Sequence, residues 1–119
     1  MSNTKQDITR RILELGDSGL EALEYVYDVT KEGNSELTHQ VMSGLIEAFI
    51  SIEESLPYVL DMGNEIMAWS RQLKNDLEHL VTCYESGKEA DILLALEGKV
   101  IPSYAKWLES LKASLTLQS

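Results

Sequence analysis

Glu36-Leu-Thr-His39 and Asp76-Leu-Glu-His79 each set a carboxylate three residues ahead of a histidine, and Cys83 lies one helical turn beyond the second pair. Glu-x-x-His spacing on two helices is how carboxylate-bridged di-iron bundles bring their ligands to one centre. If the two segments are antiparallel helices joined by a turn near Val59, His39 and His79 stand at the same level. The first chemistry this chain could hold is thus a metal site built from Glu36, His39, Asp76, His79 and Cys83.

The facing of these residues argues against that reading, because the ligands of a bundle-core metal must point inward. His39 is about 120° from the centre of the apolar stripe Leu37, Val41, Leu45, Ala48, Ile52 and Leu56, and Glu36 is about opposite that stripe. His79 lies about 130° from the stripe of its own segment and Asp76 about 70°. Two solvated histidines are the simpler expectation, with no metal and no other cofactor. Cys83, about 90° off its stripe and with no basic residue in its own turn to activate it, is expected as a partly buried small side chain.

Glu97 is the other carboxylate of interest, since it falls inside the stripe Leu93, Leu96, Val100, Tyr104, Trp107, Leu111 and Leu115. A buried carboxylate has to be paired or protonated. Glu97 is either an ionisable core group beside Pro102, or it turns to the edge and accepts a hydrogen bond from a tyrosine or serine hydroxyl; the second is expected. No Gly-rich phosphate loop, no Gly-x-Ser-x-Gly elbow and no histidine with an inward-facing nucleophile is present. The chain is expected not to be an enzyme.

Four helix-length apolar stripes must position these groups. Gly33-Asn34-Ser35, Pro57 to Asn64 and Ser86-Gly87 punctuate the chain, and each supplies a helix stop, a cap or both. Helices are expected over about 5–32, 35–56, 63–86 and 89–115, within a single domain over 1–119. Asn34 or Ser35 can cap the second, Asp61 or Asn64 the third, and Ser86-Gly-Lys-Glu89 has the spacing of a capping box. Short connections favour an antiparallel, up-down-up-down four-helix bundle, and the absence of sustained period-2 alternation argues against a sheet.

Two interruptions break the pattern. Gly16 and Gly19 lie on the apolar side of the first helix, where each costs about 1 kcal/mol relative to Ala. The turn signal predicts a break there, with Asp17 capping the longer part; the alternative is a notch that receives Trp69 or Trp107. Pro102 lacks an N–H and crowds the carbonyl of Gly98, so the fourth helix should kink or break.

Twenty Asp and Glu against ten Lys and Arg give the 119 residues a formal net charge of -10. That charge repels phosphate backbones and anionic lipid, so nucleic acid and membrane are poor partners. Apolar runs such as Ile92–Leu96 are too short to span a bilayer, and Met1–Asp7 is too polar for a signal peptide. One cysteine cannot form an internal disulfide. A cytoplasmic location is expected.

What exceeds the needs of a bundle is the second helix. Beside its main stripe, Met42, Ile46, Phe49 and Ile50 form an adjoining face, so apolar side chains cover about 200° of the circumference. The segment Pro57-Tyr58-Val59-Leu60-Asp61-Met62 is likewise too apolar for a free loop. The expected function is a non-enzymatic protein-binding module holding a partner helix or a second subunit through Met42, Ile46, Phe49, Ile50 and Tyr58. A metal-binding bundle and a structural homodimer are the alternatives.

From Lys31-Glu-Gly-Asn-Ser-Glu36 through the long helix to Leu56, a third helix, the Ser86-Gly-Lys-Glu-Ala-Asp91 turn and a last helix ending near Trp107, the layout resembles the flagellin-export chaperone family. The Leu-Tyr-Asp-Gly element expected in the first helix of that family has only a loose echo here, in Val26-Tyr-Asp-Val29. The resemblance implies a small acidic bundle that binds a helical or disordered partner, and it carries over no binding residues.

Overall fold

Left-handed glycines close two of the helices. At the first stop Gly33 adopts φ 86°, Asn34 N–H reaches Val29 O and Gly33 N–H reaches Thr30 O, the paired bonds of a Schellman ending. At the third, Gly87 has φ 74° and its N–H meets the carbonyls of Cys83 and Tyr84. A computed structural model describes residues 4–34, 38–60 and 63–118. It contains α1 (Thr4–Lys31), α2 (His39–Ser55), a 3₁₀ turn (Leu56–Tyr58), α3 (Asn64–Ser86), α4 (Glu89–Ala95), a π turn (Leu96–Val100) and α5 (Ile101–Gln118), with no strand among the described residues. Since α4, the π turn and α5 are continuous, the architecture is an all-α, up-down-up-down four-helix bundle.

Several local expectations need correction. Ser86 is the last residue of α3 and its hydroxyl donates to Cys83 O at 2.8 Å, so the Ser86–Glu89 capping box does not form. α2 is described from His39, behind Thr38; the expected start at residue 35 and the expected caps Ser35 and Asp61, with Glu36, lie outside the described residues.

α1 is not broken at Gly16–Gly19. It runs unbroken for 28 residues, and Asp17, instead of capping, reaches Lys112 of α5 at 2.7 Å across the surface. The two glycines form the notch, but its occupants are Tyr104 and Leu108. The Tyr104 hydroxyl donates to Gly16 O at 2.8 Å. A Cβ on Gly19 would overlap that hydroxyl, and one on Gly16 would come within 2.6 Å of Leu108 Cδ1. Burial, followed by the negative charge of Asp17, raises the Tyr104 hydroxyl far above its ordinary pKa, so it stays a neutral donor.

The fourth helix passes Pro102 without breaking. One turn ahead of the ring, hydrogen bonding widens from i→i+4 to i→i+5, with Ile101 N–H bonded to Leu96 O. Such a π turn absorbs a local misfit by inserting one residue, and it rotates the side chains around it. Glu97 is thereby carried out of the apolar stripe to the surface, where it accepts a hydrogen bond from the Tyr27 hydroxyl at 3.2 Å. Leu96 and Val100 on either side remain fully buried.

A chain of aromatic side chains binds the helices together. Trp107, fully buried, stands edge-on to both Phe49 of α2 and Tyr104, with ring centroids 5.2 Å apart in each case. Its indole N–H donates to Ser70 Oγ of α3 at 2.9 Å. With Tyr104 on Gly16, this chain of rings ties α2, α5, α3 and α1 into one core. Tilted and edge-on ring pairs add about 0.5–1.5 kcal/mol each beyond the area they bury.

Helix pairing is uneven. α1 packs along α2 on one side and along α4 and α5 on the other, and α3 packs along α4 and α5, but the backbones of α2 and α3 do not pack closely. The four helices therefore form an open C in the order α2, α1, α4–α5, α3. Overall extents of 49 × 28 × 17 Å fit that oblong section.

Candidate functional site

The histidine–carboxylate constellation is not assembled. His39 is exposed and its ring lies 5.3 Å from that of Tyr84, on the α2 side of α3. His79 is exposed on the side toward α4, with Nε2 3.6 Å from Cys83 Sγ. Asp76, expected to point largely outward, is buried at 7% exposure. It accepts from Ser103 Oγ of α5 at 2.5 Å and from Gln72 Nε2 at 3.1 and 3.2 Å. Its oxygens are thus engaged by the uncharged donors of Ser103 and Gln72. Among the described residues no three His, Cys, Asp or Glu side chains gather as a metal would require; Glu36 lies outside them.

Cys83 is more buried than expected, at 7%, because α4 covers its side of α3. With His79, Leu94, Ala95 and Lys99 it lines an open pocket of about 460 Å³ between α3 and α4.

The expected binding face of α2 divides. Met42 and Phe49 are 5% and 4% exposed and belong to the core, which corrects their assignment to an outer surface. The buried stripe is Met42, Leu45, Phe49, Ile52 and Leu56, lying between the two faces read from the sequence, because Phe49 reaches Trp107 while α1 packs beside Leu45 and Ile52. Ile46 is half-buried and Ile50 is 47% exposed. Tyr58, at 77%, stands on the connection between α2 and α3.

These remaining residues have partners on the other wall. Ile46, Phe49 and Ile50 of α2 face Lys74, Leu77, Glu78 and Val81 of α3 across an open groove of about 290 Å³. It lies along the one pair of sequence-adjacent helices whose backbones stay apart. At one end the seam is pinned by the hydroxyls of Thr38 and Tyr84, 2.6 Å apart; at the other it runs toward the α2–α3 connection. Met67, 43% exposed, sits seven residues before Lys74 and fourteen before Val81. That spacing keeps it on the same side of α3, so the wall extends about 20 Å at 1.5 Å per residue.

Electrostatics on the rim are asymmetric. α2 carries Glu47, Glu53 and Glu54 and no lysine or arginine. Partial burial holds the Glu53 carboxyl above its ordinary pKa, and the Lys74 ammonium opposes that shift without cancelling it.

Sequence reasoning located the α2 half of this groove and missed the α3 half. A signal was present: Val81, one turn beyond Leu77 of the α3 apolar stripe, widens that stripe on the side that matches Ile46 and Ile50.

Fold and groove together define a class: an acidic four-helix bundle with one unclosed seam. A family model described as a domain of unknown function (DUF8042) matches residues 7–110, and the chain belongs to that family. No curated protein and no solved structure matches the chain. Among the described residues, no helix is long and apolar enough to cross a membrane.

Proposed function

We propose that this protein is a non-enzymatic, cytoplasmic binding module, adaptor- or chaperone-like, that receives a helix of another protein in the seam between α2 and α3. One observation carries the reading: an apolar groove, floored by Phe49 and walled by Ile46, Ile50, Leu77 and Val81, lies where the bundle leaves two adjacent helices apart. An amphipathic helix seats its apolar side chains in such a groove in the i, i+3/i+4, i+7 pattern. The sequence resemblance to flagellin-export chaperones points the same way, toward a helical or disordered partner.

A photo-crosslinking residue placed at Ile50 tests this, with Leu94 as control, an exposed apolar site on α4 at 69%. The reading predicts adducts with another protein at position 50 and not at 94. Equal adducts at both positions would contradict it, and adducts only with a second copy would favour a homodimer.

A further inference from the structure

We infer that the helix received in the α2–α3 seam is cationic: an amphipathic segment of another protein with lysine or arginine flanking its apolar stripe, and not a second copy of this chain. The inference rests on the docking function proposed above and adds the charge class of the partner.

Three observations support the charge class. The chain has a formal net charge of -10, so a second copy would bring another -10 to the contact, and like charges across an interface oppose association. The wall formed by α2 has no base of its own. Opposite it, Lys74 and Glu78 both line the groove, and Lys74 already acts on Glu53. Among the described residues, Glu78 and the outer carboxylates Glu47 and Glu54 form no ion pair, and Lys74 is the one cation among the residues that line the groove. Glu53, half-buried on the same helix, points the same way: burial weakens its hydration and Lys74 makes up only part of the loss. A partner's ammonium or guanidinium laid along α2 would supply the remainder.

The groove also sets the partner's apolar pattern. Its α3 wall spans Lys74 to Val81, about 10 Å, or two turns of a facing helix. Two turns present side chains i, i+3 or i+4, and i+7 between Ile46, Ile50 and Val81. Met67 extends the line toward the connection, and methionine adapts to differing partner side chains. The cations of such a helix fall on its two flanks, one over Glu47 and Glu54 and the other over Glu78.

The test is a titration of the full chain with two amphipathic peptides of about 18 residues, leucine on one face and either lysine or glutamate on the other. The expected result is that the lysine peptide binds at least about tenfold more tightly than the glutamate peptide, more weakly as salt rises. Glu47→Lys together with Glu78→Lys should weaken it about fivefold, the upper range for exposed charge pairs. Ile46→Glu with Ile50→Glu separates docking from general attraction. It makes the protein more acidic, so diffuse electrostatic binding would strengthen, whereas groove binding should fall at least about tenfold because a charge replaces the apolar wall. If circular dichroism shows that this pair unfolds the bundle, Ile50→Glu alone, at the half-exposed position, serves with the same expected direction. Equal or tighter binding of the glutamate peptide, lost in the isoleucine variants, would overturn the charge class and leave the docking function standing. Stronger lysine-peptide binding by the isoleucine variants, or no binding of either peptide, would overturn both.

Discussion

Gly19→Ala discriminates sharply between a notch that is used and a glycine that is tolerated. In an open helix position the change should stabilise by about 1 kcal/mol, since alanine removes the backbone entropy cost of glycine. Here the added Cβ would overlap the Tyr104 hydroxyl, approach its Cζ within 2.8 Å and come within 3.2 Å of Leu45 Cδ1. The tyrosine cannot move away cheaply, because its hydroxyl is bonded to Gly16 O and its ring is set against Trp107. Overpacking of this kind costs about 1–3 kcal/mol, and displacing the hydroxyl forfeits a hydrogen bond of about 1 kcal/mol. After the helix-propensity gain, a net loss of about 1–3 kcal/mol is expected. Gly44→Ala is the internal control: nothing lies within 4 Å of a Cβ there, so it should stabilise by about 1 kcal/mol. Urea unfolding followed by circular dichroism at constant slope measures both. Tyr104→Phe in the Gly19→Ala background removes the atom of closest overlap and should recover part of the loss. Two alanine variants that stabilise equally would refute the notch.

The same core makes further predictions. Phe49→Ala should cost about 3–5 kcal/mol, whereas Ile50→Ala, on the groove rim, should cost less than about 1 kcal/mol; similar losses in urea unfolding would mean that the face does not divide as described. Tyr104→Phe alone should cost about 0.5–1.5 kcal/mol through the lost bond to Gly16 O, read by the same unfolding transition. Glu53 carries a pH signature. Its folded-state pKa is raised above 4.5, so the folded protein holds that proton more tightly than the unfolded chain. Its stabilising contribution is present at acid pH and is lost as pH rises from the ordinary carboxylate range through the raised value. Glu53→Gln should therefore gain stability relative to the parent as pH rises through that window, and a difference between the two that does not change with pH would contradict the assignment.

Much of the architecture was legible because period-3.6 stripes and glycine stops are local signals. Gly33 and Gly87 ended helices where expected, and all four helices appeared. What eluded the sequence depends on neighbours. Gly16–Gly19 reads as a turn until Tyr104, 88 residues on from Gly16, fills the space. Pro102 signals trouble for an α-helix, but a π turn upstream resolves it, and the inserted residue turns Glu97 outward. Asp76 looked peripheral on its own helix and is buried because Ser103 of α5 meets it. The division of the α2 face depends on Trp107, which draws Phe49 inward and leaves Ile46 and Ile50 at the seam.

Docking of a helix in the α2–α3 seam is read most directly by amide chemical-shift mapping of the full chain titrated with the leucine–lysine peptide. The account predicts shifts concentrated at residues 46–50 and 74–81, reaching Met67, with α1 and the outer face of α5 unaffected. Shifts centred on the α3–α4 pocket around Cys83, or spread evenly over the acidic surface, would contradict it.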